Sequence, residues 1–209
     1  MNHKAWDDLY LCLIQQQEVF EKIELETLNL DNLTEQANDF SPFITELETI
    51  FSACQTAISQ HLDEAELTYV VEALIFQCDE TILTQKLVTK TCESQHAETL
   101  NHLPFLPCSK WVTLQKHLLD CRTGGERFFE NLEQILATEN KYPFALEVYY
   151  FCLKQGFVGR YNQQSEPITE YMRHCTKAIS QSTEVLKHPH IHLKQHERNE
   201  PLLRGQHGR

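Results

Sequence analysis

Glycine and proline are scarce in this sequence, with 6 Gly and 7 Pro in 209 residues. Both break helices, so their scarcity beside abundant Leu, Glu and Gln favours helix over sheet. Cations are short as well: 18 Lys and Arg stand against 30 Asp and Glu, for a net charge of −12. Such a chain lacks the clustered cations that displace counterions from phosphate, which argues against a nucleic-acid binder. No apolar run reaches the roughly 18 residues that a membrane span needs. Residues 1–8 lack a basic region followed by an apolar run, so no signal peptide opens the chain and it reads as soluble. No cysteine pair has C-x-x-C spacing. The eight cysteines (Cys12, Cys54, Cys78, Cys92, Cys108, Cys121, Cys152 and Cys175) fall mostly on apolar helix faces. They read as small buried hydrophobes in a reducing compartment.

What is present is a globular balance, 41% hydrophobic and 23% charged. The apolar residues recur at three-and-four spacing, the period of an amphipathic helix. Residues 5–27 carry Trp6, Leu9, Tyr10, Leu13, Ile14, Phe20 and Ile23 on such a stripe. Ser41-Pro42 opens a second helix. Asp63 can cap a third, which the pattern extends over 64–87 with Leu67, Val70, Val71, Leu74, Ile75, Cys78 and Ile82 inward. Residues 89–109, with Pro104 and Pro107, read as a long connection. A short helix is predicted over 110–120. Thr123-Gly124-Gly125-Glu126 matches a capping box, with the Thr123 side chain and the Glu126 amide facing each other. Phe128, Phe129, Leu132, Ile135 and Leu136 form the stripe behind it. Pro143 suits the first position of a helix that is apolar almost all round and so belongs at a bundle centre. Gly156 stops it in a left-handed conformation with Phe157 folded back. A last helix begins near Pro167 and ends at His188-Pro189.

The sequence therefore predicts an all-α fold of about seven helices in two packed bundles. Residues 1–187 make the helical domain and 188–209 a polar, basic, His-rich tail that reads as a linker. From Lys187 onward five Lys and Arg face two Glu, on a body more acidic than the chain as a whole. An acidic body with a basic end suits a protein held at an anionic membrane surface, or simply a solvated acidic domain with a basic end.

Few residues invite chemistry. Asp79 and Glu80 are adjacent on a helix, so they do not face each other and make a poor paired-carboxylate catalyst. Asp79 is expected to pair with Arg127 or Arg160, and Glu80 to stand exposed for a partner. Cys92 with His96, and His117 with Cys121, have the one-turn spacing of metal ligands and define a zinc-stapled alternative. Chance pairs at that spacing are common in a chain with 8 Cys and 11 His, so no metal or other cofactor is assigned. Gly124-Gly125 lacks the Lys-Ser/Thr of a phosphate loop. With Gly156, Gly159, Arg160 and Tyr161 it reads as a place where helices meet closely. Catalysis and a small-molecule substrate are not assigned, which leaves an interaction module.

Three segments carry a resemblance. They are Ala73-Leu74 with Asp79-Glu80 and Leu83; Gly124-Gly125-Glu126-Arg127-Phe128-Phe129 with Leu132; and Leu146-Glu147-Val148-Tyr149-Tyr150-Phe151-Cys152-Leu153-Lys154-Gln155-Gly156-Phe157-Val158-Gly159-Arg160-Tyr161. Each motif alone is weak, but in this order they resemble DotU (IcmH) of type IVB secretion and the related TssL of type VI secretion. The match runs from about 67 to 171, half the chain. The resemblance implies a hook of two helical bundles on the cytoplasmic face of the bacterial inner membrane. It also implies a C-terminal transmembrane anchor that this sequence does not show, a large inner-membrane partner called IcmF or TssM, and no enzymatic activity. TssL also contacts the cytosolic baseplate. Lys154-Gln155 and the stretch between Leu83 and Trp111 depart from the family pattern, leaning toward the type IVB branch. A free helical adaptor or chaperone is the rival of another class.

Overall fold

The computed structural model describes residues 2–28, 40–84, 111–138, 140–161 and 164–187. Within them the order is α1 (His3–Leu28), α2 (Ser41–Ile58), α3 (Glu64–Leu83), α4 (Leu114–Leu119), α5 (Gly124–Ala137), α6 (Pro143–Lys154), a 3-10 turn η1 (Gly159–Tyr161) and α7 (Ser165–Lys187). No strand occurs among the described residues, so the fold is all-α. None of the described helices is long and apolar enough to cross a membrane. The segment 89–109, the tail 188–209, Cys92, Cys108 and His96 lie outside the described residues, as does the predicted end of the third helix at Leu87.

Helix α1 pairs with α2, while α3 packs on α2, α4, α5 and α6, and α7 lies against α6 and α5. The α1–α2 pair and the α3–α7 group share one continuous core. Helix α3 lies at its centre. Val70, Ala73, Leu74, Ile75, Phe76, Cys78 and Ile82 are buried, a set that surrounds most of the helix and not one stripe. Helix α6 is buried in the same manner, as its sequence predicts. The aromatic cluster Phe128, Phe129, Tyr149 and Phe157 is fully buried, with the Phe128 and Phe157 rings 4.0 Å apart. Burial pushes the Tyr149 hydroxyl well above its ordinary pKa. The six described cysteines are free and buried, as small hydrophobes are.

The ends of the helices follow local chemistry in two places. Asp63 caps α3 by accepting from the Glu66 amide at 2.8 Å. Gly156 (φ 89°) ends α6: its amide donates to the Leu153 carbonyl and the Phe157 amide to that of Cys152, both at 3.0 Å. That double bond pattern is a Schellman motif, and buried Phe157 supplies its apolar contact. In two other places expectation fails. The Thr123 side chain makes no capping bond, because its backbone (φ −119°, ψ 41°) is not in the extended conformation that aims an N-cap oxygen at the helix. On α1, Trp6, Leu9, Phe20 and Ile23 are buried but Tyr10 and Ile14 are 53% and 58% exposed, so the predicted stripe is divided between core and surface.

Candidate functional site

Four of the carboxylates on helix α3, Glu66, Glu72, Asp79 and Glu80, each hold a different element. On ideal helix geometry Glu72 and Asp79 fall in one row, Glu66 and Glu80 in another about 100° away. Glu66 accepts from the Phe144 and Ala145 amides at 2.7 and 3.1 Å. These are the free donors at the start of α6, where Pro143 has no N–H to offer. Glu72 takes two bonds from the Arg127 guanidinium, at 2.5 and 3.0 Å, and one from the Asn131 amide at 2.7 Å, fixing α5. Asp79 accepts from Trp111 Nε1 at 3.1 Å and from the Leu114 and Gln115 amides at 2.8 Å each. Helix α4 has only six residues, too few to persist alone, and this external cap secures it. Glu80 accepts from the Val158 and Gly159 amides, both at 2.7 Å, and so pins the turn leading into η1.

Burial works against two of these charges. Asp79 is 1% exposed and its carboxyl is pushed above its ordinary pKa by desolvation, with the three donors pulling the other way. Glu66 is pushed up by burial in the same way, opposed by the Phe144 and Ala145 amides. Each cost is offset in part by the hydrogen bonds the charge receives, and desolvation remains the larger effect.

The glycines close the arrangement. The Gly124 amide donates to Gln115 Oε1 at 2.7 Å, and a methyl on Gly124 would collide with Gln115 and with Phe76. Gly125 lies against Gly159, whose φ of +45° is a left-handed value. Phe76, Glu80, Gln115, Gly124, Gly125 and Gly159 line a cleft of about 240 Å³ between α3, the α4–α5 corner and the η1 turn. Residues that lie far apart in the sequence thus converge on one concavity.

Several expectations are corrected by this geometry. Asp79 does not meet Arg127 or Arg160. It faces the start of α4, while Arg127 pairs with Glu72 and Arg160 with Glu133 at 2.9 Å. Glu80 is half-buried with its carboxylate turned inward, so it is not the exposed partner contact the sequence suggested. Glu126 is exposed. Arg160 lies over the Phe129 and Tyr161 rings at 5.4 and 5.0 Å, and Tyr161 is half-buried against Phe129. His117 and Cys121 do not share a helical turn: α4 ends at Leu119 and Asp120 is left-handed (φ 47°). His117 meets Glu48 while Cys121 is buried. Among the described residues no three His, Cys, Asp or Glu side chains are placed to share a metal ion. Glu66, Glu72, Gln115 and Asn131 belong to the arrangement and carry no motif. The signal for the first two was present, since acidic residues on a helix buried nearly all round must find donors.

The comparisons with known proteins are consistent with this architecture. The sequence model of a family described as "Type VI secretion system protein DotU" matches residues 30–208. No curated protein matches the chain. Among solved structures, the cytoplasmic domain of TssL from Acinetobacter baumannii is similar in fold, with a TM-score of 0.52 at 22% identity, over 79% of this chain and 97% of that one.

Proposed function

The chain belongs to the DotU family, components of bacterial secretion systems, and on that premise we propose that its helical domain binds and stabilises an IcmF-type inner-membrane partner. The work is binding, with no chemistry and no cofactor. The single observation behind this reading is the convergence of Glu80, Gly124-Gly125 and Gly159 on one cleft whose walls are fixed by internal hydrogen bonds. A rigid concavity binds without the entropy cost of ordering its own loops. The domain then faces the cytoplasm, with 188–209 as the linker toward the inner membrane. The sequence departures around Lys154-Gln155 lean to a type IVB machine. A second reading, a TssL-type component that links the membrane complex of a type VI machine to its baseplate, is favoured by the family's own description.

The test is titration calorimetry of this domain against the cytosolic domain of the IcmF-like protein encoded in the same genome. Because Glu80 is spent on holding the η1 turn, the informative variant is Thr84→Arg, an exposed position on the cleft wall that leaves that clamp intact. Micromolar or tighter binding that falls at least tenfold in the variant supports the cleft as the partner surface. Unchanged binding in the variant moves the interface elsewhere, and no binding by the folded wild type promotes the adaptor reading.

A further inference from the structure

Helix α1 shows a second surface, away from the cleft. Tyr10, Leu11, Ile14 and Leu25 are 53%, 58%, 58% and 60% exposed. Four large apolar side chains in the open on one helix is more than scattered surface residues account for. At about 100° per residue they fall within a sector roughly 100° wide, running about 22 Å along the axis. Glu18 and Glu21 fall in the same sector between Ile14 and Leu25, with Asp7 at its start, and all three are exposed. Among the described residues no cation pairs with any of these three carboxylates. Lys22, at the sector's edge, is taken by Glu46 of α2 at 2.5 Å. The opposite side of α1 is fully committed: Ala5, Leu9, Val19 and Ile23 are buried, and Trp6 Nε1 donates to Glu147 of α6 at 2.7 Å. The exposed stripe is therefore held on a fixed support.

We propose that this face of α1 is a docking site for a basic amphipathic helix of a partner protein, with aliphatic side chains at three-and-four spacing seated among Tyr10, Leu11, Ile14 and Leu25 and Lys or Arg opposite Glu18 and Glu21. Charge selects the occupant. A second copy would bring Glu18 and Glu21 against the same acidic row, and like charges across an interface oppose association. An anionic lipid surface is repelled by the same carboxylates in a chain of net charge −12. In sequence the chain's own basic tail has Ile191, Leu193, Leu202 and Leu203, no two of them at three-and-four spacing, with Pro189 and Pro201 among them. A basic helix with an apolar stripe satisfies both halves of the pattern.

The experiment uses the full chain and a fluorescein-labelled 18-residue Leu/Lys peptide whose leucines recur on one helical face, followed by fluorescence anisotropy. A peptide of the same composition with its leucines scattered round the helix is the control. The patterned peptide should bind at least tenfold more tightly than the scattered one. Leu11→Ser with Ile14→Ser should weaken it at least tenfold, and Glu18→Lys with Glu21→Lys should do the same and reduce the salt dependence. Glu130→Lys with Glu166→Lys, a charge change at exposed acidic positions on other helices, should leave it unchanged. These positions are exposed, and circular dichroism checks that every variant keeps the wild-type helix content. Equal affinity for the two peptides overturns the proposal, as does an equal loss in the Glu130/Glu166 control. A concentration-dependent dimer abolished by Ile14→Ser would assign the face to a second copy instead. Cosedimentation with phosphatidylglycerol vesicles abolished by the same change would assign it to the membrane.

Discussion

Gly125 and Gly159 meet backbone to backbone: a methyl group on Gly125 would sit 3.0 Å from the Gly159 Cα. This contact sets the distance between α5 and the η1 turn, and the Glu80 carboxylate holds the turn in place from the other side. Gly125→Ala is expected to cost about 1–3 kcal/mol, because the three atoms nearest the added methyl are backbone and cannot rotate away. Gly159→Ala should cost more, since a left-handed φ adds about 1–2 kcal/mol of its own. Urea denaturation of the two variants, compared with Gly205→Ala in the tail, measures both. Equal stability of all three would mean that α5 and η1 do not approach so closely.

Glu80→Gln isolates the clamp from the glycines. Both carboxylate oxygens accept backbone amides, so a glutamine presents an NH₂ to one donor and leaves it unsatisfied. The expected loss is about 1–3 kcal/mol. Amide hydrogen exchange should show the Val158 and Gly159 amides losing protection before those of α6. If their protection is unchanged, the turn is held by packing and not by Glu80.

Phe128→Ala removes the ring at the middle of the aromatic cluster. Phe128 is fully buried against Phe129, Tyr149 and Phe157, so the variant should lose about 3–5 kcal/mol. Thermal unfolding by circular dichroism reads this, and unfolding like the wild type would place the ring outside the core.

Much of this was legible in the chain itself. Periodicity located the helices, Asp63 and Gly156 marked two boundaries by local chemistry, and the pairing of glycines with aromatics pointed to close packing. The parts that were not legible depend on partners distant in sequence. Asp79 reads as an ion-pair residue because its nearest cations in the motifs are Arg127 and Arg160. Its real donors are two backbone amides and an indole N–H more than thirty residues away, none of which a sequence pattern displays. Thr123-x-x-Glu126 has the letters of a capping box without the backbone angles. Tyr10 and Ile14 have the spacing of core residues, but a helical stripe wider than its contact surface leaves its edge outside. Spacing records that a face is apolar and not what covers it.

Stability should depend on pH through Asp79 and Glu66. Burial places both carboxyls above their ordinary range in the folded state, against about 4 when unfolded. Between those values the folded state binds more protons than the unfolded state. The stabilising contribution is therefore complete below the unfolded pKa and is lost as pH rises through the raised folded one. Urea midpoints taken from pH 4 to 7 should fall more steeply for the wild type than for Asp79→Asn with Glu66→Gln. Parallel curves would mean that the hydrogen bonds to these carboxylates fully cancel the cost of burying them.

The pairing of Arg127 can be decided by a double-mutant cycle. The structure gives Glu72 two bonds from Arg127 and shows Asp79 bonded to other groups. Glu72→Ala, Arg127→Ala and the double variant should therefore be non-additive, with a coupling of about 1–3 kcal/mol. The guanidinium side chain is 44% exposed, and solvent screening places the value toward the lower end. A second cycle with Asp79→Ala and Arg127→Ala should be additive within about 0.5 kcal/mol, since the two residues share no partner. A coupling that moved to the second cycle would restore the ion pair that the motif suggests. It would also leave Glu72 a buried carboxylate with Asn131 as its remaining bonded donor, an arrangement that the desolvation cost of a buried charge makes unstable.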